Sequence, residues 1–237
     1  MKKLICMILA VFLLVSLAAC QDAREGDYVL ATNALESGRY ADAYPILAEL
    51  GDYKDAKALL ATIHAEKQSA VVDIDGVHME IEYVIKNGNV VKEIRTVSGG
   101  DQIKSYYKFN AEGLCTSEIH AQADGSKVNI NHFYEGSTPV RTVRTNANGL
   151  KDTFVYTCDE NNKVVSHVLT FSDGGVQEAT YTYNEQGLLA TLACTGAGEE
   201  ALTYEYNVYG DVEKETSVNP FGESVTKYNY TYSYTVG

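Results

Sequence analysis

Few residues in this chain combine the type and the spacing that chemistry needs. Glu199-Glu200 sets two carboxylates side by side, as an acid and a base would require, but the pair opens a strand and reads as solvated charge. Asp73-Ile74-Asp75-Gly76 supplies the start of a calcium loop without its later ligands, and its Asp-Gly step fits a tight hairpin turn better. His78, His120, His132 and His167 fall on different strands without metal-ligand spacing and read as ordinary strand residues. No Gly-x-Ser-x-Gly elbow, His-Glu-x-x-His helix or phosphate-cradling glycine loop is present. The chain is therefore expected to be non-catalytic, with no catalytic residue, no metal site and no bound cofactor.

Cys20 is different, because its surroundings specify a reaction. The chain opens with Lys2 and Lys3, runs apolar from Leu4 to Val15, and reaches Leu17-Ala18-Ala19-Cys20. A basic start, a short apolar stretch and small residues describe a secretory signal. The run is shorter than the roughly 17–25 residues of a spanning helix. Leu17, Ala18 and Ala19 suit the narrow pocket of a signal peptidase. Leu-Ala-Ala-Cys resembles the lipobox of bacterial lipoproteins. That resemblance implies a cut before Cys20, a diacylglyceryl lipid on its sulfur, and a mature chain held through the lipid at the outer face of the cell membrane, in the cell envelope. Each buried CH₂ of such a lipid contributes about 0.8 kcal/mol. The alternative is an ordinary or uncleaved signal with Cys20 incidental.

The net charge is -13. Loss of Lys2 and Lys3 with residues 1–19 takes it to -15. A surface this acidic argues against nucleic acid and against anionic headgroups as partners. Cys6 leaves with the signal and Cys20 takes the lipid, so Cys115, Cys158 and Cys194 remain.

Residues 20–69 form a lipid-anchored helical segment. Glu36-Ser37-Gly38-Arg39-Tyr40-Ala41-Asp42-Ala43 aligns with Glu49-Leu50-Gly51-Asp52-Tyr53-Lys54-Asp55-Ala56 at an offset of 13. Gly38 and Gly51 stand where a helix closes in a left-handed cap. The spacing predicts helices over about 26–37, 40–49 and 53–68. Gly-x-Tyr-x-x-Ala resembles tetratricopeptide-type hairpins. The stretch is too short to bury a solenoid groove, which points to a spacer or packing element.

Residues 70–237 change to period-two alternation rich in Val, Thr and Tyr, the pattern of strands. Turn residues recur every 11 to 13 positions, in one series at Gly76, Gly100, Gly125, Gly149, Gly174, Gly198 and Gly222, and in the other at Gly88, Gly113, Thr138, Asn162, Gly187 and Gly210. Connections this short join antiparallel neighbours. The fold expected is mostly β with a small N-terminal α part, its body an up-and-down meander of about fourteen strands in a curved or spiralling sheet that could close like a barrel.

The second series carries a fuller motif. Tyr183-Asn184-Glu185-Gln186-Gly187-Leu188-Leu189 is its clearest copy, with others beginning at Phe109, Tyr134, Cys158 and Tyr206. In it Asn110, Asn184 and Asn207 can hold the turn backbone. Gly113, Gly187 and Gly210 supply positive φ, and Asn162 is the best substitute for glycine there. Tyr-Asn-x-x-Gly-x-Leu at about 24 residues resembles the YD-repeat (RHS-type) family. The resemblance implies a curved or spiralling β-array. Large members enclose toxins, for which roughly six repeats are too few.

Tyr181, Tyr183, Tyr204, Tyr206, Tyr228, Tyr230, Tyr232 and Tyr234 alternate with polar residues. They read as the buried face of a curled sheet; the functional alternative is an exposed ligand platform. The remaining cysteines fall on strands that are not neighbours, so three free, mostly buried thiols are expected, with Cys158 in an aromatic slot. The function expected is a binding or scaffold lipoprotein for envelope glycan or another protein. Alternatives are a carbohydrate-active enzyme using sheet carboxylates, and an accessory or immunity factor related to toxin-delivery repeats.

Overall fold

In the computed structural model of the protein, residues 23–237 are described. The segment expected to be a secretory signal, with Leu17, Ala18 and Ala19, and the expected lipidation position Cys20 lie outside the described residues. The described residues form helix α1 (residues 23–36), α2 (Tyr40–Leu50) and α3 (Ala56–Leu60), then fourteen strands. These are β1 (Ile63–Ile74), β2 (Val77–Lys86), β3 (Asn89–Val97), β4 (Gln102–Phe109), β5 (Cys115–Ala121), β6 (Lys127–Glu135) and β7 (Thr138–Thr145). There follow β8 (Lys151–Cys158), β9 (Val164–Thr170), β10 (Val176–Tyr183), β11 (Leu189–Gly196), β12 (Glu200–Tyr206), β13 (Val212–Asn219) and β14 (Gly222–Val236).

The chain divides into two compact units, one of residues up to Glu66 with Tyr232–Gly237, the other Lys67–Thr231. In the first, Ala31, Ala34, Ala43, Leu47, Leu50, Ala56 and Ile63 are buried together, with Tyr40, Tyr53 and Tyr234 packed around them. Small Ala faces let the helices approach closely. Gly38 and Gly51 take φ of 71° and 56°, as the repeat required. The third helix is far shorter than 53–68, because β1 begins at Ile63. Tertiary pairing overrides a weak helical spacing there.

In the second unit each strand pairs with its chain neighbours, and β14 returns to β1, so the sheet is a closed barrel. Closure removes the edges that an open or spiralling sheet would leave exposed. Asp75-Gly76 and Asn87-Gly88 all have positive φ, the requirement of the two-residue turn whose twist matches the strands. The longer turns share one device. Asn184 N–H donates to Leu188 O at 2.8 Å, Gly187 N–H to Asn184 O at 2.9 Å, and Leu188 N–H to Asn184 Oδ1 at 2.9 Å. Asn110 and Asn207 repeat it, and Asp159 does so around Asn162, whose φ is 62°. One position departs from the spacing: the left-handed residue of the β6–β7 turn is Gly136, and Thr138 is already in β7. A two-residue turn there shortens the loop.

Along β2, β10 and β12 exposure alternates, and the shielded set faces inward, whereas β3 and β5 are half-buried throughout. The outward set includes exposed Glu80, Glu82, Arg141, Glu178, Glu205 and Lys227. Exposed apolar residues such as Val71, Val155 and Val168 stand among them; a lysine or arginine at a bilayer midplane costs about 2–4 kcal/mol.

Candidate functional site

The motif aromatics act through backbone chemistry. Register shifts occur beside Ile85, Phe109, Tyr134, Cys158, Tyr183 and Tyr206, always at the motif turn. A bulge withdraws a residue from the ladder, and the carbonyl beside it needs another donor. The next copy supplies one. Tyr134 Oη donates to Cys115 O at 2.8 Å, Tyr183 to Val164 O at 2.7 Å, Tyr206 to Leu189 O at 2.7 Å and Tyr230 to Val212 O at 2.9 Å. Cys158 fills the same slot, its Sγ 3.5 Å from Pro139 O. Each copy is thereby latched to the one before.

The eight predicted tyrosines separate into two groups. Tyr181, Tyr183, Tyr204, Tyr206, Tyr228 and Tyr230 belong to the barrel and are half-buried on its inner side. Burial pushes their phenols up from the ordinary value. Tyr228 and Tyr230 stack with centroids 6.1 Å apart. Tyr232 and Tyr234 belong to the helical unit. The six barrel tyrosines therefore lie on the inner side, as the curled-sheet reading expects.

The interior mixes apolar and polar side chains. Within Lys67–Thr231, the buried apolar residues among those described are Ala70, Val72, Ile81, Leu169 and Ala179, and Ser105, Thr142, Asp152, His167 and Thr226 are buried beside them. A cavity of about 270 Å³ is lined by His132, Tyr134, Thr142, Tyr156, Tyr181 and Tyr183, among others.

Next to it lies a polar cluster that residue spacing did not reveal. Glu118 receives His120 Nε2 at 3.0 Å and His132 Nε2 at 2.8 Å. Behind each imidazole stands a hydroxyl: Ser105 Oγ is 2.7 Å from His120 Nδ1, and Thr142 Oγ1 is 2.8 Å from His132 Nδ1. Tyr156 Oη donates to Thr142 Oγ1 at 3.1 Å. The hydrogen bonds from His120 and then His132 hold the Glu118 carboxyl down to about 2. Cys115, Glu118 and His132 bring their ligand atoms within 4.8 Å of one another. The signal was present in parity: Glu118 and His120 are two apart on β5, and Glu118 pairs with Ile130, two from His132 on β6.

Ser105, His120 and Glu118 have the connectivity of a nucleophile, base and orienting acid, with Ser105 0% exposed. Glu200 accepts a hydrogen bond from Ser217 at 2.6 Å. Burial, then the charge of Glu200, raises the Glu215 carboxyl. His167 is buried among Phe154, Tyr156 and Tyr181, where burial lowers its pKa. Cys115, Cys158 and Cys194 are free, as expected, but half-buried rather than mostly buried, with their thiols raised by burial. Asp75-Gly76 forms the hairpin turn, Gly76 N–H donating to Asp73 Oδ1 at 2.9 Å.

No protein-family model and no curated protein matches the chain. Among solved structures it is similar to a porin-like protein from Bacteroides uniformis ATCC 8492, at 10% identity and TM-score 0.37 over 70% of this chain and 98% of that one. A porin-like protein from Bacteroides vulgatus ATCC 8482 is similar at 8% identity and TM-score 0.44, over 71% and 99% of the two chains. The TcdB2-TccC3-Cdc42 structure is similar at 14% identity and TM-score 0.22 over 59% of this chain and 9% of that one.

Proposed function

We propose that the chain is an exported lipoprotein, held through a diacylglyceryl lipid on Cys20 at the outer face of the cell membrane, whose barrel is a non-catalytic module for binding envelope glycan. The observation that carries this reading is the half-buried state of the inward aromatics. A packed core would exclude water from Tyr181 and Tyr183; here both border a cavity of about 270 Å³. That is just below the range of about 300–1,000 Å³ for ligand pockets, room for one ring-sized group. A sugar ring offers an apolar face to a tyrosine ring and hydroxyls to the polar groups beside it. The charged residues of the outer surface support an envelope-bound protein that does not itself span the bilayer, and the chain's acidity disfavours nucleic acid as a partner.

The test is calorimetric titration of soluble envelope-glycan fragments into the full chain in detergent micelles. Tyr181→Ala is expected to weaken binding at least tenfold. Tyr106→Ala, on the outer face and 41% exposed, is expected to leave it unchanged. Binding lost with Tyr106 and kept without Tyr181 would overturn the reading.

A further inference from the structure

We propose that Cys115, Glu118 and His132 form a binding site for a divalent transition-metal ion of the zinc class. One thiol, one carboxylate and one imidazole, contributed by β5 and β6, bring their ligand atoms within 4.8 Å of one another. That donor set suits zinc better than magnesium or calcium, which take oxygen ligands alone.

The metal-free hydrogen bonds leave room for the ion. His132 Nε2 and Glu118 Oε1 are 2.8 Å apart, sharing a proton. Bonds of about 2.0–2.1 Å from each to one ion need a separation near 3.3 Å at a tetrahedral angle, so the pair opens by about half an ångström. The Nε2 proton must leave, and Thr142 Oγ1 is in place for the other tautomer, because a hydroxyl can accept from Nδ1–H as readily as it donates to Nδ1. Such a partner behind a ligating histidine is the usual arrangement in metal sites. His120 holds the second carboxylate oxygen at 3.0 Å and orients it. As the Sγ–metal bond forms, the Cys115 S–H bond breaks and its proton passes to water; a coordinating thiol is deprotonated by the ion itself. Side-chain exposures of 22% for Glu118 and 20% for His132 leave an entry path. Three protein ligands leave the fourth position to water or to a donor atom of a bound ligand.

The probe is Co²⁺ added to the full chain in detergent micelles, with Zn²⁺ as competitor. The expected result is one equivalent bound, with a tetrahedral visible band and a thiolate-to-cobalt charge-transfer band, both removed by Zn²⁺. Cys115→Ser should abolish the charge-transfer band, and Cys158→Ser, a matched half-buried thiol, should keep it. His132→Gln should weaken binding at least tenfold, and Thr142→Val, which removes only the supporting hydroxyl, by about 10- to 100-fold. Near-ultraviolet circular dichroism of the tyrosines checks that each variant is folded. Absence of the charge-transfer band in the wild type, or its survival in folded Cys115→Ser, would overturn the proposal.

Discussion

Asp152 shows how this interior tolerates charge. Its side chain is 3% exposed, and Arg144 Nη2 reaches it at 2.7 Å, Asn146 Nδ2 at 3.0 Å and Ser172 N–H at 3.0 Å. Burial alone would raise this carboxyl, but the donors outweigh it and hold it below the ordinary value. The Arg144 side chain is 35% exposed, so the two partners are unequal. Arg144→Met leaves a buried carboxylate behind and is expected to cost about 3–5 kcal/mol. Asp152→Asn leaves a guanidinium that water can reach and is expected to cost about 1–3 kcal/mol. Denaturant unfolding followed by circular dichroism measures both. Because the folded pKa is depressed, the contribution is present above the unfolded value of about 3.9 and lost as pH falls through the folded one. The Asp152→Asn variant should lack that part of the acid dependence. This pair was not singled out from sequence, since Arg144 and Asp152 meet only once the β7–β8 register is known.

Among the elements, the turns were the most legible feature, because positive φ restricts residue choice and leaves Gly and Asn as a visible beat. Gly113, Gly187 and Gly210 stand at φ of 80°, 78° and 81°. Barrel closure was not legible: β1 meets β14 across more than 150 residues of chain, with no local chemistry to announce it. The cluster at Glu118 was missed for the same reason, its members lying 2 and 14 residues apart until the hairpin brings them together. The aromatic slot was read correctly in Cys158, and its meaning came from the bulges. Tyr183→Phe removes the donor to Val164 O and is expected to cost about 0.5–1.5 kcal/mol. Cys158→Tyr supplies the missing hydroxyl opposite Pro139 O and is expected to gain a similar amount. Paired denaturant titrations test this; a destabilised Cys158→Tyr would show that the slot is too small for the ring.

For the whole molecule, the same alternation yields two different surfaces. Outside stand charged residues such as Glu80, Arg141 and Lys227 interspersed with exposed Val71, Val155 and Val168; inside stand tyrosine rings that share their space with histidines and carboxylates as well as with Ile81 and Leu169. Latches between copies fix the wall, so the interior need not be filled to hold its shape. The most direct test of this account is nuclear magnetic resonance of the tyrosine rings with a small neutral paramagnetic probe in solution. Signals of Tyr181, Tyr183, Tyr204 and Tyr228 should broaden measurably but less than that of outward Tyr106, which is 41% exposed. No broadening would mean a dry, closed core, and broadening equal to that of Tyr106 would mean that the rings face outward; either result contradicts a water-accessible interior lined by tyrosine.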